Sequence, residues 1–186
     1  MKKDPATSTY VALLRGINVG GRNLLPMKDL SAIFEGAGCA DVRTYIQSGN
    51  VVFAASPPAA QQVQAEVARV IAERFGFRVP VVLRSAQDLA KAARDNPFVR
   101  AKADLESLHV AFLLDAPRPG GIALLEGKRS PPDEFVVKGR EIYLRLPNGV
   151  ARTKLTNDHF DRTLATTSTV RNWRTVLKLV ELVALA

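Results

Sequence analysis

The chain has 186 residues, 47% of them apolar and 24% charged, and carries a net charge of +8. This is ordinary globular composition, long enough for one sizeable core or two small ones, and it excludes a disordered or fibrous chain. A single cysteine, Cys39, excludes an internal disulfide and a cysteine-only zinc site, while a pI near 10.0 favours encounter with anions and equally serves plain solubility.

Behind the charged start Met1-Lys2-Lys3-Asp4-Pro5 no apolar run follows, so no signal peptide is expected and the chain is read as cytoplasmic. Residues 10–14 form a continuous apolar run suited to a buried strand. Pro26 opens a helix with Met27, Leu30, Ile33, Phe34 and Ala37 on one face, and Gly38 closes it. Residues 41–46 and 51–54 read as two strands around Gln47-Ser48-Gly49-Asn50, where Gly-Asn signals a primed hairpin turn. Pro57 and Pro58 break the chain before a helix over 59–75, ended by Gly76, and residues 78–84 supply another strand. The order β-α-β-β-α-β is that of a ferredoxin-like unit.

The second half echoes the first. Ser85 with Asp88 resembles a capping box that opens a helix through Arg94. A strand follows at 108–114, a short helix at 121–127, and a hairpin of 134–138 and 141–146 through Gly139-Arg140. Helices are expected near 157–164 and 169–185. The apolar tail carries Lys178 and Glu181 and reads as a core helix, not a membrane span. The expected fold class is therefore α+β: two ferredoxin-like βαββαβ-type halves, residues 1–85 and 86–186, packed together as one compact unit. The second half lacks a clear final strand and ends in two helices.

The stretch with most chemical content is Arg15-Gly16-Ile17-Asn18-Val19-Gly20-Gly21-Arg22-Asn23, directly after the first strand. Glycine permits positive φ and close approach of another group, and arginine offers a planar, permanently charged fork for phosphate or carboxylate. Gly16 and Gly21 have P-loop spacing, but Arg22-Asn23 replace the lysine and hydroxyl that such a loop needs, and Leu24-Leu25-Pro26 delay the helix whose N–H groups would face the anion. Ser48 and Asn50, in the second tight turn, offer hydrogen bonds to a ligand held by Arg15 or Arg22. No nucleophile elbow surrounds Ser48. His109 and His159 make no chelating pattern with Cys39, so no metal and no cofactor are indicated. Near the C-terminus Lys154 precedes one helix, and Arg171 and Arg174 share a face at the start of the next beside Trp173. Basic residues in a first helical turn oppose the helix dipole unless an anion compensates.

Tyr10 through Asn23, then Met27 and Leu30, then Tyr45-Ile-Gln-Ser-Gly-Asn-Val-Val-Phe53, with Arg152-Thr-Lys-Leu155 and Thr169 through Trp173 to Leu179, make a set that resembles the bacterial family of unknown function DUF1697. The resemblance spans nearly the whole chain. It implies an α+β protein of two ferredoxin-like halves and implies no activity. Members of that family often show Lys-Leu-Gly and then Thr-Thr-Arg-Asn-Trp, where this chain has Thr163-Leu164-Ala165 and Thr169-Val170-Arg171.

The expected function is binding of a phosphate-bearing ligand, a nucleotide or nucleic acid, through Arg15, Asn18, Gly20, Gly21, Arg22 and Asn23. Ser48 and Asn50 are expected nearby, and Lys154 and Arg171 as second contributors. The aromatic RNP pattern of RNA-reading sheets is absent. An enzyme acting on a small anionic metabolite is one alternative, and an interaction module without ligand is another.

Overall fold

The computed structural model of the chain describes residues 7–127 and 129–185. The apolar run at the N-terminus becomes β1 (Ser8–Leu14), an inner strand of its sheet, followed by α1 (Met27–Gly36), β2 (Ala40–Tyr45), β3 (Asn50–Ala55), α2 (Pro57–Phe75) and β4 (Val81–Ser85). These strands form an antiparallel sheet in the order β2-β3-β1-β4, with Ala12 opposite Val51 and Leu83. Alternation along each strand sets what each face carries. Ala12, Leu14, Val51, Phe53 and Val81 share one core with Leu30, Ile33 and Phe34 of α1 and Val63, Val67 and Ile71 of α2. Their strand neighbours Val11, Leu13, Val52, Val82 and Arg84 are buried as well.

Next come α3 (Ala86–Arg94), α4 (Pro97–Arg100) and a 3-10 turn at Leu105–Ser107, then β5 (Leu108–Leu113), α5 (Pro119–Ala123), β6 (Glu134–Lys138), β7 (Glu141–Arg145), α6 (Asn157–Leu164), β8 (Ser168–Asn172) and α7 (Trp173–Ala184). The second sheet is antiparallel in the order β6-β7-β5-β8. Ala111, Leu113, Ile142 and Leu144 cluster there with Phe160 and Leu164 of α6. The fold is α+β with two four-stranded antiparallel sheets. By contact density the chain divides into one unit that runs to Ala90 and takes in Leu179 onward, and a second of Lys91–Lys178.

Three expectations need correction. The second half does have a closing strand: β8 stands between α6 and α7, pairing with β5, where Ala111 lies opposite Val170. No glycine or proline separates this strand from the helix after it, so a helical reading from 169 absorbed it. Consequently Arg171 belongs to a strand and does not share a helix face with Arg174. The β2–β3 connection is not a two-residue primed turn at Gly49-Asn50. Tyr45 pairs with Asn50, residues 46–49 form the loop, and positive φ falls at Ile46 (48°) and Gly49 (75°). Finally, Pro57 and Pro58 begin α2 instead of preceding it. Ser56 caps it by accepting a hydrogen bond from the Ala59 N–H at 3.4 Å, and proline suits a first turn whose N–H groups have no helical partner.

Candidate functional site

β1 ends where its ladder passes to other partners: the Leu14 N–H donates to Gly49 O at 2.8 Å and the Arg15 N–H to Pro80 O at 3.0 Å. Gly16, at φ 75°, turns the chain away, and Ile17 is buried as a plug beneath the loop. The loop is itself a small hairpin. Val19 and Arg22 form a bridge, the Arg22 N–H donates to Val19 O at 3.0 Å, and the intervening Gly20 and Gly21 have φ of 57° and 73°. Two successive positive φ values define a tight primed turn, which glycine adopts without steric cost.

Asparagine amides hold this hairpin in place. Asn18, at φ 54°, donates from Nδ2 to Leu25 O (2.9 Å) and Gln47 O (3.0 Å), and its Oδ1 accepts from the Leu25 N–H (2.8 Å). Asn23 donates from Nδ2 to Gly16 O at 2.8 Å. Across the junction, Asn50 is buried and donates to Tyr45 O and to Ser48 Oγ, at 3.2 and 2.9 Å. Asn18 thus ties the β1–α1 loop to the β2–β3 loop. A cavity of about 340 Å³ lies there, lined by Asn18, Leu24, Leu25, Pro26, Met27 and Gln47.

Of the residues expected to bind a ligand, the structure brings Asn18, Gly20, Gly21, Arg22 and Asn23 into one ordered hairpin, with Ser48 and Asn50 on the loop tied to it. Asn18, Asn23 and Asn50 hold backbone with their amides, so their role is to shape the surface. Arg15 is half-buried at the base. Arg22 is exposed, and its guanidinium meets no carboxylate among the described residues. Lys154 and Arg171 belong to the other unit. Lys154 is exposed, and its N–H donates to Ser130 Oγ at 2.9 Å. Arg171 is buried, donating to Thr169 Oγ1 and Val170 O at 2.8 and 2.9 Å, and burial pushes its pKa down to about 10.

The residues that sequence reasoning missed are apolar. Val19, Leu24 and Ile46 are 64%, 64% and 51% exposed, all on the two joined loops. A readable signal existed: an isolated valine between Asn18 and Gly20 has no strand or helix to bury it. The second unit shows that such loops are not needed to build the sheet. There the connection into the first helix takes residues 114–118 where the first unit uses 15–26, and the hairpin takes 139–140 where the first uses 46–49.

Elsewhere, burial raises the Cys39 thiol to about 11, which suits a core residue. No group of metal-ligating side chains occurs among the described residues, and no helix among them is long and apolar enough to cross a membrane.

Fold and loops together define an α+β protein with two antiparallel sheets and a rigid, arginine-bearing hairpin set on the first. The chain belongs to the family described as "Protein of unknown function (DUF1697)", which matches residues 7–143. Among solved structures it is similar to the conserved bacterial protein SP0830 from Streptococcus pneumoniae, at 22% identity and a TM-score of 0.70, over 96% of this chain and 99% of that one. That likeness speaks to the fold. No functionally curated protein matches.

Proposed function

We propose that this protein binds a phosphate-bearing ligand, a nucleotide, at the hairpin of residues 15–23. The phosphate meets Arg22 and the N–H groups of the Gly20-Gly21 turn, and the base takes the apolar cleft of Leu24, Leu25, Pro26 and Met27. The observation that carries this reading is Arg22: exposed, without an acidic partner among the described residues, and mounted on a turn whose shape Asn18 and Asn23 fix in advance. Preorganised donors lose less entropy on binding than mobile ones. Apolar lining with a few converging polar groups is the usual make-up of a small-molecule site.

On this reading each half is a ferredoxin-like unit, supported by the strand orders β2-β3-β1-β4 and β6-β7-β5-β8, and the first is elaborated for binding while the second is the plainer form. The net charge of +8 would assist encounter in the cytoplasm, where we place the protein. A thermal-shift series with mono-, di- and triphosphate nucleotides tests the reading. Stabilisation that disappears in Arg22→Ala, in a variant with unchanged Tm when no ligand is added, is the expected result. A salt-sensitive gel shift with DNA or RNA, without any nucleotide response, would move the ligand to nucleic acid. No response to either overturns the proposal.

A further inference from the structure

Separately from the hairpin, a cavity of about 590 Å³ opens in the second unit, lined by Leu105, Glu106, Asn172, Trp173, Arg174 and Leu177. Local chain geometry explains its composition. Asp104 accepts the Glu106 N–H on Oδ1 at 3.1 Å and the Ser107 hydroxyl on its carbonyl at 2.7 Å, which fixes the turn that presents Leu105 and Glu106. On the other wall Asn172 ends β8 and accepts the Thr175 N–H at 2.8 Å, so α7 starts at Trp173 with no intervening loop.

Its walls set this cavity apart from a chance hollow. Leu105 and Leu177 remain 50% and 44% exposed beside Trp173, which is only 3% exposed, so the floor is apolar and fixed while its flanks stay open. At the rim, Arg174 and Glu106 stand 4.0 Å apart with side chains 87% and 86% exposed. An ion pair so open contributes next to nothing, and Arg174 exchanges acids at little cost.

We propose that this cavity binds small carboxylates with an apolar body, aryl or branched alkyl. The body lies against Leu105, Leu177 and the indole, and the carboxylate accepts from the Arg174 guanidinium in place of Glu106. The first turn of the twelve-residue helix α7 adds partial positive charge on the same side. Glu106 at the rim selects a singly charged ligand, since a polyanion would meet it as a like charge. The volume falls in the range of small-molecule sites.

Trp173 is the only tryptophan of the chain, so its fluorescence and its indole N–H resonance read this site alone. The probes are 3-phenylpropionate and its neutral amide. We expect a saturable shift of both signals with the acid and binding roughly tenfold weaker for the amide, the loss that follows from removing a charge-assisted hydrogen bond. Arg174→Gln should bring the acid down to the level of the amide. Glu106→Gln, by removing the competing carboxylate, should tighten binding several-fold. Both side chains are exposed, so neither variant threatens folding. An unmoved indole resonance, equal binding of acid and amide, or weaker binding by Glu106→Gln would each overturn the proposal.

Discussion

At the scale of single residues, Gly49 and Ala165 both stand at positive φ, and only the first is a glycine. Gly49 sits at φ 75°, and a Cβ there would lie 2.7 Å from Leu14 Cβ and 3.1 Å from Ile17 Cδ1. Neither neighbour can yield, because Leu14 is in the ladder and Ile17 is the plug under the loop. Gly49→Ala should therefore lower stability by about 3 kcal/mol in urea titration, combining left-handed strain with overpacking. A loss well below about 1 kcal/mol would show that the two loops are softer than their hydrogen bonds indicate. Ala165 is the opposite case. It ends α6 at φ 51° and ψ 43°, the left-handed position that glycine usually fills, and the glycine of the family's Lys-Leu-Gly pattern falls there. Ala165→Gly should raise stability by about 1 kcal/mol, since relief of the left-handed penalty exceeds the added freedom of the unfolded chain. A lowered Tm in the variant would contradict this account.

Among the elements, the hairpin of residues 15–23 behaves as a part with its own latch. Asn18→Gly keeps the backbone angle that the site needs and removes the bonds to Leu25 and Gln47. Stability should fall by about 1–3 kcal/mol as buried backbone groups lose partners. Hydrogen exchange at the Leu25 amide should quicken toward that of an open loop. Unchanged exchange at Leu25 would mean that the glycine turn alone sets the shape. The elements legible in the sequence were those with sharp punctuation: α1 between Pro26 and Gly38, the β6–β7 hairpin around Gly139, α3 after Ser85. β8 was illegible because Asn172 is both its last residue and the cap of α7, and nothing in Ser-Thr-Val-Arg-Asn-Trp marks where one period yields to another. The turn at Gly20-Gly21 was legible in the sequence, and Asn18, Asn23 and Asn50 were expected there as ligand contacts and not as the amides that hold the loops in shape. Those bind backbone at positions such as Gln47, distant in sequence, and only folding brings these together. Of the exposed apolar residues, Val19 was readable from its neighbours Asn18 and Gly20, whereas the exposure of Leu24 and Ile46 follows from loop geometry that composition does not encode.

Across the whole molecule, the two units repeat one plan down to single side chains. Arg84 in β4 lies opposite Val11 of β1, and Arg171 in β8 opposite Val110 of β5. Each is buried and donates to the carbonyl of the residue before it, Leu83 at 2.8 Å and Val170 at 2.9 Å. The residue after each arginine then caps the following helix, Ser85 through Asp88 N–H and Asn172 through Thr175 N–H. Against this shared plan the differences are informative, and one of them has a pH signature. His109 has no histidine counterpart in β1; it stands in β5, buried, its Nδ1 donating to Ser107 O at 3.2 Å. Burial disfavours the imidazolium and holds its pKa below the ordinary 6.5, and His159 is lowered first by burial and then by Arg129. Above pH 6.5 folded and unfolded chains both carry these rings neutral, so stability is full there. Below it the unfolded chain takes up protons that the folded one refuses, and stability falls until the folded pKa is passed. Glu66 and Asp95, held below their ordinary 4.5 and 3.8 by Arg69 and Lys91, act in the same direction only at lower pH, Glu66 from an exposed position and Asp95 from a half-buried one. Unfolding free energy measured between about pH 7 and pH 5 should therefore decline in the native chain and decline less in His109→Gln, which keeps a donor for Ser107 O without a titrating ring. An identical slope in the variant would mean that His109 accepts its proton without leaving its place in the strand, and the remaining pH dependence would belong to His159.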